Sequence, residues 1–436
     1  MPSLPGPDDT LRQVLPNGIV VLARANFASP SVVVHGYLPH AGALHDPDDK
    51  SGLAELTASM LLRGTRTRTH QQIFDALESM AANLGFAGHT HSTALRARCL
   101  AEDLPALLAL LAEALREPTF PADEFARRRD QMLTGLAIRM QDTATRAAEA
   151  ALAALYADHP YGGTLDDLAQ GLRNLTRDDL EAFHRQHYTP QGLVLAIVGA
   201  IEPTDAVARI AAALGDWQGP PPPPEPEVPP VEPPPHEVQR AVPLPGKSQS
   251  DIVVATVGPS RFAADYLPAA LGNSVLGRFG MMGRIGQVVR EQAGLAYYAY
   301  SSLTGGPGPG PWQVNAGVAP EHVPQALDLI RAELRRFVDQ GVTASELADV
   351  QSQAVGSLPL ELATNAGVAG ALLHVERYGL GLDYFRTYAA RIRAITPEQV
   401  QRAIRHYWHP DRWTVGIAGP SEAAPVPAAA TAEERA

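Results

Sequence analysis

The 436-residue chain has a single cysteine, Cys99. One thiol excludes an internal disulfide and any metal site built on cysteines. Lysine is nearly missing, present only as Lys50 and Lys247. Acidic residues outnumber basic ones, 47 against 35, for a formal charge of −12. That balance leaves no basic footprint for nucleic acid. No run of about 18 apolar residues occurs, so no membrane partner or membrane-spanning helix is expected. The first residues lack a basic region followed by an apolar one, so no signal peptide is expected and a cytoplasmic location is.

Proline is plentiful, at 39 residues, and concentrated in Pro220–His236. Such a stretch cannot form the interior of a helix or a sheet and reads as an extended spacer. It divides the chain into an N-terminal domain over 12–218 and a C-terminal domain over 237–420. Residues 219–236 form the linker and 421–436 a disordered tail. The two halves repeat one another. Thr176, Pro190 and Gly199 recur 220 residues later as Thr396, Pro410 and Gly419. A gapless recurrence of three markers points to two copies of one structural unit.

Each copy mixes strands and helices. Residues 18–23, 31–38, 252–257, 297–302 and 312–318 read as strands. Residues 52–62, 71–84, 104–116 and 122–140 have helical apolar spacing. Thr176 and Thr396 are N-cap candidates for helices ending near His187 and Tyr407. Runs of helices between strands predict an α+β class.

The segment Gly52, Leu53, Ala54, Glu55, Leu56, Thr57, Ala58, Ser59, Met60, with Gly64 and Thr65 beyond it, resembles the active-site helix of the pitrilysin/insulinase family of zinc peptidases, which includes the mitochondrial processing peptidases. In that family the frame reads Gly-Leu-Ala-His-x-x-Glu-His-Met; the two His bind zinc and the Glu activates water. Glu55, Ala58 and Ser59 stand at those three positions here. The family's third ligand, a Glu on a later helix, maps near Thr134, Gly135 and Leu136, where there is no carboxylate. A hydrolytic zinc site needs about three protein ligands, an open position for water and a general base. By this resemblance the chain holds no metal and no cofactor of its own. His89 and His91 alternate along an expected strand, and His184/His187 and His406/His409 sit three apart near helix ends. None of these pairs has a third ligand, and all read as surface or capping histidines.

The second half carries Arg290 and, seven residues on, Tyr297 after Gly294, Leu295 and Ala296. This resembles the family's C-terminal signature, in which the Arg binds substrate carbonyls and the Tyr hydroxyl helps hold the developing oxyanion. Gly272, Gly277, Gly280 and Gly283 lie where processing-peptidase relatives have a glycine-rich loop, which makes them substrate-binding candidates.

The resemblance implies two homologous α+β domains, each an antiparallel-rich sheet packed with helices, facing each other across a cavity. It implies a non-catalytic subunit of a heterodimeric zinc metallopeptidase. Its partners would be a homologous zinc-bearing subunit and a peptide or unfolded polypeptide substrate. Arg290 and Tyr297 would serve the zinc site of that partner. The alternative is a peptide-binding or structural scaffold of the same fold without a catalytic role.

Overall fold

A computed structural model describes residues 4–280 and 283–420. In chain order the first half forms β1 (Leu11–Val14), β2 (Val20–Ala25), β3 (Ser31–Leu38), α1 (Leu53–Met60), α2 (His70–Ser79), β4 (Asn83–Gly88), β5 (Thr93–Leu100), α3 (Leu104–Arg116), α4 (Ala122–Arg139), α5 (Thr143–Leu155), α6 (Leu165–Asn174), α7 (Arg177–His187), β6 (Val194–Gly199) and α8 (Pro203–Leu214). The second half forms β7 (Val238–Pro243), β8 (Ser250–Val257), α9 (Tyr266–Gly277) and α10 (Gly283–Ile285). A π-helix (Gly286–Gln292) follows, then β9 (Ala296–Leu303) and β10 (Pro311–Val318). The described residues end with α11 (Val323–Gln340), α12 (Ala344–Glu361), α13 (Asn365–Arg377), α14 (Tyr384–Arg393), α15 (Pro397–Tyr407) and β11 (Thr414–Gly419).

These elements gather into two compact units. The first contains residues up to Leu136, Asp166–Glu227 and Gln353–Ile392; the second contains Ala137–Leu165, Val228–Ser352 and residues from Arg393 onward. The first is built on a six-stranded sheet ordered β1-β2-β6-β3-β5-β4 and the second on a five-stranded sheet ordered β7-β11-β8-β10-β9. Each sheet has one parallel pair, β2 with β6 and β7 with β11, and is otherwise antiparallel. The repeat is therefore structural. β6 and β11 start at 194 and 414, and α7 and α15 at 177 and 397, the same 220-residue offset seen in the sequence. Thr176 and Thr396 each close a capping box, with Asp179 and Gln399 as the answering side chains. Two orphan donors are satisfied at each helix start.

The packing units differ from the contiguous segments 12–218 and 237–420, because the two halves exchange helices. α5, from the first half, packs with β7, β8 and β11. Ala147, Ala151 and Leu155 are buried there with Val253, Ala255 and Ala418. Reciprocally α13, from the second half, packs on β3 and β6, where Val368, Ala369 and Leu372 join Val33, Val194 and Val198. Each exchanged helix covers an apolar face of the other half's sheet, so hydrophobic burial holds the crossing in place.

Pro220–His236 has no regular secondary structure up to Pro234. Its later part is tied to the second unit: an Arg412 guanidinium donates to the carbonyls of Pro233 and Pro234, and a His159 ring nitrogen lies 3.1 Å from the Pro229 carbonyl. The stretch 421–436, read from the sequence as a disordered tail, lies outside the described residues.

Three local expectations need correction. The helix expected over 71–84 stops at Ser79, Ala81 adopts φ 46°, and Asn83 already begins β4. His89 and His91 lie in the turn between β4 and β5, not along a strand. Residues 271–277, expected within a glycine-rich loop, form the end of α9. No helix among the described residues is long and apolar enough to cross a membrane.

Candidate functional site

The degenerate helix α1 begins after Gly52, which adopts φ 93°. Its start is tied down from a distance, since the Asp46 carboxylate accepts from the backbone N–H groups of Gly52 and Ala54, both at 2.9 Å. Burial raises the Asp46 carboxyl to about 7 despite those donors. The apolar frame does what the sequence suggests, with Leu53, Ala54, Leu56 and Met60 buried.

The three diverged positions share that helix but have different surroundings. Glu55 is exposed. The Ala58 methyl is 1% exposed and offers no donor atom. The Ser59 hydroxyl donates to the Leu56 carbonyl at 2.9 Å and accepts from Arg128 Nε at 3.0 Å. Arg128 is on α4, seven residues and two turns before Gly135, where the zinc family would place its third ligand. Gly135 faces open space, Leu136 is buried, and the Thr134 hydroxyl is spent on the Asp130 carbonyl.

These residues do not fit a zinc ion. A methyl, an engaged hydroxyl and a lone carboxylate replace two imidazoles and a base, and a guanidinium stands at the second histidine position. Burial and the neighbouring positive charge of Arg63 lower the Arg128 pKa, with Glu55 opposing, which marks an electropositive spot. A divalent cation would be repelled there. Among the described residues no cluster of three or more His, Cys, Asp or Glu could hold a metal. His184 and His187 are used structurally: a ring nitrogen of each lies within 2.9 Å of a backbone carbonyl, of Leu115 and of His40 respectively.

The second group of candidates lies in the second unit. Arg290 is inside the π-helix Gly286–Gln292, and its carbonyl accepts from Gly294 N–H at 3.0 Å. π-Helical turns are rare and cluster at functional sites. Tyr297 is the second residue of β9. Register pairs Gly317 with Tyr298 and Val318 with Ala296, so Tyr297 is the extra residue of a β-bulge. Its ring is 83% exposed, while the neighbouring Tyr298 donates its hydroxyl to the buried Asp251. A bulge re-aims one side chain and bends the strand locally. The π-helix packs against β9, so the two irregular elements that carry Arg290 and Tyr297 are neighbours.

The four candidate glycines have unequal settings. Gly272 and Gly277 are buried in α9. Gly277 is needed for close approach, because a Cβ there would lie 2.1 Å from Ser301 N. Gly280, in the turn after α9, adopts φ 62°, and Gly283, the first residue of α10, adopts φ 63°. Gly277, Arg278 and Gly280 join Tyr300, Ser301 and Leu303 around an open cleft of ≈ 490 Å³ at the outer edge of β9.

Arg128, the bulge and the π-helix were not found in the sequence. The seven-residue spacing from Arg128 to position 135, which puts both on one face of α4, was the available signal.

Two α+β units and a helix in the HxxEH frame that lacks the zinc ligands define the architecture of a zinc-peptidase family. The chain belongs to peptidase family M16. The description "Insulinase (Peptidase family M16)" matches residues 22–167, and "Peptidase M16 inactive domain" matches residues 174–354. An uncharacterised zinc protease of Mycobacterium tuberculosis is 27% identical over 434 residues, covering 94% of this chain and 93% of that protein. A probable mitochondrial-processing peptidase subunit beta of Arabidopsis thaliana is 27% identical over 206 residues, 46% of this chain and 38% of that protein. A crystal structure described as a peptidase M16 inactive domain from Pseudomonas fluorescens superposes with a TM-score of 0.87 at 28% identity, covering 95% of this chain and 98% of that one. A protease from Helicobacter pylori shares the fold, with a TM-score of 0.84 at 16% identity over 96% of this chain and 100% of that one.

Proposed function

We propose that this chain is the non-catalytic member of a two-subunit zinc peptidase. It binds an extended peptide and presents Arg290 and Tyr297 to the zinc site of a homologous partner. Zinc belongs to that partner, and the pair works in the cytoplasm. The observation that carries this reading is the contrast between the two sites. Around Ser59 the zinc chemistry is dismantled and its place taken by a guanidinium. Around Tyr297 a β-bulge displays a phenol, and the neighbouring π-helix, a second costly irregularity, carries Arg290. Backbone irregularities persist where something selects for them. An Arg and a Tyr donor aimed at a developing oxyanion supply electrostatic stabilisation without a metal of their own. The relative from Arabidopsis thaliana, named as a subunit of a processing peptidase, supports a multi-subunit setting. The cleft beside Gly280 on the outer edge of β9 suits an extended segment.

The test is peptide hydrolysis and zinc content for this chain alone, for a zinc-bearing homologue from the same cell, and for the mixture. Activity that needs both chains, with zinc retained by the homologue only, supports the reading. Hydrolysis by this chain alone, lost on chelation, would overturn it.

A scaffold role of the same fold is the second reading, and the dismantled zinc helix favours it equally. Substitution of Arg290 and Tyr297 separates the two, because a scaffold is indifferent to both.

A further inference from the structure

Three consecutive arginines on α4 are treated differently. Arg127 pairs with Glu124 at 2.5 Å, and Arg129 lies 3.9 Å from Asp130. Arg63, from the segment after α1, also pairs with Glu124 at 3.2 Å. Arg128 has no carboxylate within ion-pair distance among the described residues; its one hydrogen bond is from Nε to Ser59. An arginine has five N–H donors, so four remain on the Nη groups. Those two groups form the fork that matches a carboxylate.

The surroundings point the same way. The side chain is partly buried, and Arg63, itself paired with Glu124, adds positive charge that Glu55 opposes. Glu55 is exposed and beyond ion-pair range, so it does not neutralise the guanidinium. Ala58, the residue before Ser59 on α1, is buried and carries no polar atom. The helix carrying Ala58 and Ser59 abuts β4: a Cβ at Gly88 would lie 2.6 Å from Glu55 Cα. β4 is the last strand of its sheet, with no partner on its outer side among the described residues. An open strand edge takes an extended peptide by main-chain hydrogen bonds.

We propose that the disabled zinc helix has become a carboxylate-binding site, in which Arg128, positioned by Ser59, receives a carboxylate of an extended peptide lying along β4. The residue change from histidine to serine thus exchanges a cation site for an anion site. The carboxylate comes either from the C-terminus of the peptide or from an Asp or Glu side chain. The proposal rests on the peptide-binding part of the function given above and is independent of Arg290, Tyr297 and the partner subunit.

The test uses the full chain alone and fluorescence anisotropy. The probes are three N-terminally labelled peptides of alternating Val and Ser: the free acid, its C-terminal amide, and the amide with one internal Glu. The expected result is that the free acid or the Glu-bearing amide binds about fivefold more tightly than the plain amide. Which of the two does so identifies the source of the carboxylate. Arg128→Met should remove that preference and leave the plain amide's affinity unchanged. Glu55→Gln should enlarge the preference about twofold, because it removes the opposing charge. Equal binding of all three peptides, or a preference that survives Arg128→Met, overturns the carboxylate site and leaves peptide binding intact. Failure of every peptide to bind also overturns the site, while the partner-dependent reading is then judged by turnover of the reconstituted pair.

Discussion

Arg128 Nε donates to the hydroxyl of Ser59 at 3.0 Å, joining α4 to the helix that carries zinc ligands in active members of the family. The cation of the zinc site is replaced by a cation that belongs to the chain. Reintroducing ligands is therefore not enough to recover a metal. The variant Glu55→His, Ala58→Glu, Ser59→His, Gly135→Glu should remain without stoichiometric zinc while Arg128 is present. Adding Arg128→Ala should allow it, because the repulsion is gone. Metal analysis after dialysis reads the outcome, with thermal unfolding as the control for folding. Stoichiometric zinc in the variant that keeps Arg128 would refute the electrostatic part of the argument.

Tyr297 is 83% exposed, so its hydroxyl contributes little to the fold. Tyr297→Phe should leave unfolding of the isolated chain within about 0.5 kcal/mol of the parent. In the reconstituted pair it should lower kcat on the order of 10²-fold, the usual cost of one oxyanion donor. Arg290→Ala should lower kcat/KM of the pair by a comparable factor. Two silent substitutions would favour the scaffold.

Burial lowers the His184 ring to about 4, the Leu115 carbonyl opposing. A histidine held neutral in the fold stabilises above its unfolded value of 6.5, and that stability is lost as pH falls from about 6.5 towards 4. Between about pH 7 and pH 5 this group should cost on the order of 1–2 kcal/mol. His184→Gln keeps a donor for the Leu115 carbonyl and cannot titrate, so its urea midpoint should fall less over that range. An equal fall in both proteins would mean that the acid sensitivity lies elsewhere.

Arg284 makes a two-pronged contact with Glu346, at 2.7 and 2.6 Å, and lies 3.8 Å from Glu333, whose side chain is 3% exposed. Removing the guanidinium leaves Glu346 without its two-pronged partner and the nearly buried Glu333 with Arg336 alone, 2.7 Å away. Arg284→Met should therefore destabilise the second unit by about 3 kcal/mol. Arg284→Met with Glu333→Gln should recover part of the loss. Denaturant unfolding of the single and double variants measures both, and a double variant no better than the single would locate the cost in packing.

Much of the architecture was legible before any coordinates. The 220-residue offset, the two threonine caps and the strand runs 31–38 and 252–257 depend on local chemistry, and β3, β8, α7 and α15 form where that chemistry puts them. The loss of the zinc ligands was equally plain, since an alanine at 58 and a serine at 59 can be read directly. Errors arose where local preference was ambiguous. Apolar spacing ran on past Ser79, but Ala81 takes φ 46° and turns the chain into β4. Alternation of His89 and His91 looked like a strand and is a hairpin turn.

The sequence by itself determined the two-copy plan, the helix starts and the absence of a zinc donor set, because caps, periodicity and ligand identity are properties of neighbouring residues. Only the tertiary structure decided that α5 and α13 change places, that Arg128 reaches Ser59 and that Tyr297 sits on a bulge. Each of these joins residues far apart in the chain or depends on strand register. Burial of complementary surfaces sets such contacts, and no local pattern encodes them.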